Sequence, residues 1–403
     1  MSDPRQTAPS ARLAPAAIAA RHPGIAATAG VFLAALLAFL AIGAALPVLP
    51  GYVRGPLHGS DLAVGIVVGA FAITSVVCRP LAGRQADHRG RRIVLVVGSL
   101  AMALGGALYL LAGNVPGLIA ARLVVGCGEG AVYTAGAAWA VDLAPEDRHG
   151  LALGLFGLSV WGGLSLGPLA GELLRSSVGY DAVWIATAAL PFAGAIVAMR
   201  LPEAPRAGGD AVPGPLAFFP RAARRPGIAL ALANVGYAAL AGFVVLHLSA
   251  RGIGGGATVF TAFALAVFAS RLVLSRVPDR AGAKPTATAA GLLEAVGLLI
   301  IALAGSLPVA LIGAVVVGVG FSMLFPSLAL MVVGEVDEDR RGSALGAFTA
   351  FFDIGVGLGG PIAGATASLA GYPAVFVLGA AAAFGTAALA ATTGPLRRAR
   401  PAV

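Results

Sequence analysis

A single offset constrains this chain more than any other feature. Arg79, Gly83, Asp87, Gly90 and Arg92 recur as Arg271, Ser275, Asp279, Gly282 and Lys284, each 192 positions later. DRHGLALGLF at Asp147–Phe156 returns as DRRGSALGAF at Asp339–Phe348, and Gly126, Gly128, Gly163 and Gly167 map onto Gly318, Gly320, Gly355 and Gly359. One register held over that distance means two homologous halves. With 58% hydrophobic and 11% charged residues, the composition is that of a polytopic membrane protein. A parallel duplication in so apolar a chain predicts an all-α fold of twelve transmembrane helices in two pseudo-symmetric six-helix bundles. That is the architecture of a secondary transporter, with its substrate site between the halves near the bilayer midplane.

Twelve apolar stretches are each near the ~20 residues needed to cross hydrocarbon. They include 61 to 82 (span 2), 149 to 174 (span 5), 227 to 249 (span 7), 256 to 277 (span 8) and 342 to 367 (span 11). The expected organisation is a disordered tail at 1–25, a bundle at 26–200, a linker at 201–226, a bundle at 227–393 and a tail at 394–403. The first 25 residues lack the compact apolar core of a signal peptide. Of the 27 basic residues, Arg54, Arg175 and Arg251 fall on one side and Arg122 inside a span; the others fall in the tails or even-numbered connections, with Arg79 and Arg271 read at span ends. The positive-inside rule therefore puts both termini in the cytoplasm of a bacterial-type plasma membrane. Tyr52, Tyr109, Tyr180 and Tyr372 then mark the opposite interface. The net charge of +9 is a topology signal, so no nucleic-acid partner is expected. Cys78 and Cys127 support no disulfide framework, and five scattered histidines support no metal cluster. Neither an enzyme nor a cofactor is expected, and a monomer in the lipid bilayer is.

Between spans 2 and 3, Gly83, Asp87, His88, Arg89, Gly90, Arg91 and Arg92 read as a tight turn, with glycines for close approach and an acid able to pair with arginines. Span 4 carries Arg122, Gly126, Gly128, Glu129 and Gly130. Arg122 and Glu129 stand seven residues apart, on one helix face and separated by about 10 Å. Span 5 carries Gly154, Gly163, Gly167, Pro168 and Gly171, small residues for packing and a proline that lets the helix bend. In order and over essentially the whole chain, these motifs resemble those of the major facilitator superfamily, and the span 5 element resembles its drug:proton antiporter and efflux permease branch. The resemblance implies that Gly83, Asp87, Gly90, Arg91 and Arg92, with Asp279, Arg280 and Gly282 in the second half, form cytoplasmic latches between the halves. It implies a coupling role for Arg122 and a helix-bending role for Gly163, Gly167, Pro168 and Gly171. His88, Ser275 and Glu172 depart from the family pattern.

Ionisable groups inside hydrocarbon are costly and are functional candidates by default. Arg122, Glu129, Asp353, Glu172 and Glu294 are the candidates for proton coupling or substrate contact. Asp353 lies about 16 Å from the start of span 11, near the centre of a ~30 Å core. Each has a bland alternative, a structural bond to a neighbouring helix. The family places the central cavity at spans 4, 7 and 10, which makes Tyr133, Asn234, Tyr237, Phe321 and Phe325 lining candidates. Two Asn and two Gln are too few for a sugar site, whose every buried hydroxyl needs a partner. Aromatic rings and acids suit a small amphiphilic organic compound or drug, including a cation. The expectation is multidrug-type export by proton antiport with alternating access, driven by the proton gradient. An uptake symporter or facilitator of a small metabolite, such as a sugar or organic acid, is the alternative, and a non-transporting membrane sensor is a third. Val31 to Tyr52 holds no acid, so coupling falls to Glu129, Asp353 or Glu172.

Overall fold

The computed structural model describes residues 23–145, 148–203, 220–336 and 341–393, with only the backbone for 23–26 and 341–343. Most of both tails, the linker from 204 to 219 and the Asp147 and Asp339 starts of the repeat lie outside the described residues. Twelve helices are long and apolar enough to cross a membrane. Span 1 is Pro23–Ala45, extended after a short break by Leu49–Arg54. Spans 2 to 6 are Asp61–Arg89, Arg91–Leu111, Val115–Asp142, His149–Ser177 and Tyr180–Met199. Spans 7 to 12 are Arg221–Ala250, Gly256–Val273, Ala283–Leu303, Leu307–Val333, Arg341–Ala370 and Tyr372–Thr392. Twelve crossings put Pro23 and Thr393 on one face, called here the terminal face, opposite a far face.

Local chemistry sets the helix ends. Ser60 caps span 2 by accepting the Ala63 amide at 3.2 Å, and Asn114 caps span 4 by accepting that of Gly117 at 2.8 Å. Gly90 and Gly282, related by the duplication, turn the chain at φ of 102° and 93°, a backbone region that L side chains rarely adopt.

Three boundaries differ from those read in the sequence. Span 2 runs on through Gly83 and Asp87 to Arg89, so the turn begins at Gly90 and Arg79 sits ten residues inside the helix instead of at its end. In the second half, Pro278 occupies the position of Ala86. Lacking an amide hydrogen, it ends span 8 at Val273 and opens a separate short helix, Val277–Ala281. Span 7 starts at Arg221, so Arg221, Arg224 and Arg225 extend that helix and do not form linker.

The packing repeats with the sequence. Span 1 packs on spans 5 and 6, span 2 on span 4, and span 3 on spans 4 and 6; the same pairs recur six spans later. Small residues permit this. A Cβ at Gly126 would overlap the Phe71 carbonyl of span 2, and at Gly318 it would meet the Phe263 carbonyl of span 8. Leu100, Leu104, Leu166, Leu173, Ile312 and Leu369 are among the large apolar side chains left exposed, the surface a bilayer would cover. The halves meet along two further related contacts, span 2 with span 11 and span 5 with span 8.

Candidate functional site

The span 2 to span 11 contact is a stack of glycines. Gly65 and Gly360 approach so closely that neither could carry a side chain, and a Cβ at Gly69 would press on the Gly357 carbonyl. At the far face the Tyr372 hydroxyl donates to Asp61 at 3.0 Å, and Arg54 pairs with Asp61 at 3.3 Å. At mid-depth the same two helices bring Arg79 against Asp353. Arg79 Nε donates to Asp353 Oδ2 at 2.6 Å and Nη2 to Oδ1 at 3.2 Å, a two-pronged bond between the halves. Nη2 also reaches Glu129 of span 4 at 3.1 Å, and the Ser75 hydroxyl donates to the same carboxylate. The guanidinium lies 4.5 Å from the ring centroid of Tyr133. One arginine thus holds two acids, one from each half, and these charged-group bonds can be made or lost with a proton.

Glu129 and Asp353 therefore come together, although they are 224 positions apart. Arg122 goes elsewhere: it donates to the carbonyls of Val67 at 2.9 Å and Val68 at 3.1 Å while covering the Phe71 ring. These bonds tie span 4 to span 2, the structural alternative for that residue. Glu172 is held by Arg175 one turn on, at 2.5 and 2.9 Å, near the far end of span 5 and away from Arg79. Glu294 is fully buried in the second half beside Gly236, and neither of its carboxylate oxygens has a partner among the described residues.

Of the aromatic candidates, Tyr237 stacks on Phe321 at 5.5 Å, and Trp161 of span 5 meets Phe321 at 5.8 Å across the halves. Tyr133 faces Arg79, whereas Phe325 packs on Phe348 at 5.3 Å in a separate apolar cluster. Asn234 is buried between spans 7 and 11, its amide spent on the Leu230 carbonyl at 2.8 Å. Trp161, Tyr133, Arg79, Arg271 and Phe352 keep partial exposure although they lie deep between the halves, which marks an internal opening.

The latch residues pair within the first half. Asp87 bonds Arg91, Arg91 reaches Asp142 at 3.0 Å, and Arg92 donates to the Leu201 carbonyl at 3.2 Å. Asp279 and Arg280 are exposed on the short helix after span 8. The hydrogen bonds described between the halves run from Asp61 and Tyr372 to the level of Arg79, so this arrangement joins the halves on the far side of mid-depth. In span 5, Gly163, Gly167 and Gly171 press on the backbone of span 1 from Leu36 to Ala44, and the helix passes unbroken through Pro168.

Sequence reading missed Arg79 as a site residue because it was placed at a span end. The usable signal was the arginine that recurs 192 positions later inside an apolar stretch in both halves.

Two related bundles meeting over a mid-depth ionic centre define a membrane transporter, not an enzyme. The chain belongs to the Major Facilitator Superfamily, whose family model matches residues 31–260 and 246–402. It is 35% identical over 356 residues to an uncharacterized MFS-type transporter of Salmonella typhimurium, covering 86% of this chain and 91% of that one. It is 30% identical over 361 residues to another of Burkholderia mallei, covering 88% of each. Its fold is similar to that of the human organic anion transporter MFSD10, with a TM-score of 0.69, 21% identity and 91% and 99% of the two chains covered. It is also similar to the nucleoside transporter NupG, with a TM-score of 0.73, 16% identity and coverage of 90% and 98%.

Proposed function

We propose that this protein is a proton-coupled transporter of a small amphiphilic organic compound, working by alternating access in a bacterial inner membrane with its terminal face cytoplasmic. The observation that carries this reading is Arg79 held between Glu129 and Asp353. Protonating Asp353 removes the anion from the bond that joins the halves. Glu129 and Ser75 then keep Arg79 on the first half while the halves part at the far face. The cytoplasmic latches close the terminal face in that second state. The basic residues at the terminal face support the orientation.

The Gly163, Gly167, Pro168 and Gly171 element supports export, in which substrate leaves in exchange for entering protons. Uptake symport is favoured by a different observation, the positive charge of Arg271, which has no carboxylate partner among the described residues. The test is proton and substrate flux in proteoliposomes under an imposed pH gradient, with a range of amphiphilic compounds. Substrate-triggered proton movement, abolished in Glu129→Gln and Asp353→Asn, is expected, and its sign distinguishes exchange from co-transport. Proton-linked flux that survives in the double variant would refute the assignment of the carrier.

A further inference from the structure

The duplication places an arginine at the same register in each half, and the two meet opposite surroundings. Arg79 has Glu129 and Asp353. At the corresponding positions around Arg271, 192 residues away in each case, stand Phe321 for Glu129 and Trp161 for Asp353. Both carboxylates have been replaced by aromatic rings. Arg271 stacks on Trp161, with its guanidinium 4.6 Å from the ring centroid. Its Nε is buried without a hydrogen-bond partner, and among the described residues no carboxylate lies within ion-pair distance of it.

A guanidinium that is partly exposed to an internal opening, with its Nε buried and unpartnered, is placed to take an anion entering there. Arg79 already has Glu129 and Asp353, whereas Arg271 has no carboxylate partner among the described residues, and its single charge matches a monoanion. The planar fork of arginine suits a carboxylate, and Trp161 beside Phe321 and Tyr237 offers an apolar bed for the rest of the molecule. We propose that Arg271 binds the carboxylate of an amphiphilic organic anion carried by this protein, with the partly exposed Trp161, backed by Phe321 and Tyr237, against its hydrophobic body. This rests on the transporter reading and fixes its sense. Protonating Asp353 makes the centre more positive, so the proton and the anion load together and the cycle is symport, not exchange.

The test uses the full chain in neutral-detergent micelles and three matched probes: 2-naphthoate, 2-naphthamide and 2-naphthylmethylammonium. Calorimetry and the thermal midpoint should register 2-naphthoate in preference to the other two. Arg271→Gln should weaken it at least about tenfold, the loss of one hydrogen-bonded charge partner. Arg271→Lys keeps the charge and should preserve the preference for the carboxylate, which separates lost recognition from lost folding. Equal binding of the amide or the ammonium compound, full affinity in Arg271→Gln, or no binding of 2-naphthoate would each overturn the site. The same preparations in vesicles separate the two claims. Naphthoate that binds but does not move would leave the anion site standing and overturn transport, while movement of the ammonium probe without naphthoate binding would do the reverse.

Discussion

Replacing Asp353 with Asn tests the ionic centre where it joins the halves. Nitrogen–oxygen distances of 2.6 and 3.2 Å put the charge centres of Arg79 and Asp353 at about 4 Å, or roughly 4 kcal/mol of Coulomb attraction at an effective dielectric of ~20. Much of this is offset, because Arg79 is not orphaned. Glu129 still holds it at 3.1 Å, and the asparagine oxygen can accept one neutral bond. A net loss of about 1.5 to 3 kcal/mol is left, the usual worth of a hydrogen bond to a charged group. All of it falls on the contact between span 2 and span 11, so the balance between the two arrangements of the halves should move by ~10- to 150-fold toward separation at the far face. Pulsed electron spin distances between labels on spans 2 and 11 near the far face would read this, at two pH values. Asp353→Asn should shift the population and lose its pH response. Glu129→Gln, whose lost bond lies within the first half, should leave the distances between the halves near those of the unaltered protein. Identical distances and pH response in Asp353→Asn would refute the reasoning.

Five other substitutions follow from the contacts and the backbone. Tyr372→Phe removes the 3.0 Å bond to Asp61 at the far face and should favour opening there by about 1 kcal/mol, read by the same label pair. Gly90→Ala and Gly282→Ala should each lower stability by about 1–3 kcal/mol, because φ near 100° is strained for any residue with a Cβ; thermal melts in detergent would show it. Gly126→Ala drives a methyl into the Phe71 carbonyl and should destabilise strongly. Gly154→Ala, with nothing within 4 Å, should be neutral or slightly stabilising in the same melt.

The duplication, the twelve spans and the superfamily were legible because hydropathy and repeat register are properties of the chain itself. Where helices end was less legible. A glycine such as Gly83 permits a turn without requiring one, and only the positive φ at Gly90 stops span 2. That difference moved Arg79 from an interface to the centre of the site. Its bond to Asp353 joins residues 274 positions apart, a distance that no spacing within one helix encodes. Arg122 and Glu129 were legible in position but not in partner. Their spacing predicted one helix face, and both do face span 2, Arg122 at the carbonyls of Val67 and Val68 and Glu129 at Ser75 and Arg79. Glu172 looked central from its motif, but the arginine three residues on satisfies it locally.

The two contacts between the halves are geometric copies but chemical opposites, which bears on how such a molecule can rock. The seam between spans 2 and 11 is fastened by groups that a proton can unfasten. The seam between spans 5 and 8 is fastened by the Ser165 hydroxyl on the Ala264 carbonyl at 2.7 Å and by the stack of Trp161 on Arg271, neither of which uses a carboxylate. In the proposed cycle a fall in pH loosens one side of a pseudo-symmetric body and leaves the other fastened, as a door needs both a catch and a hinge.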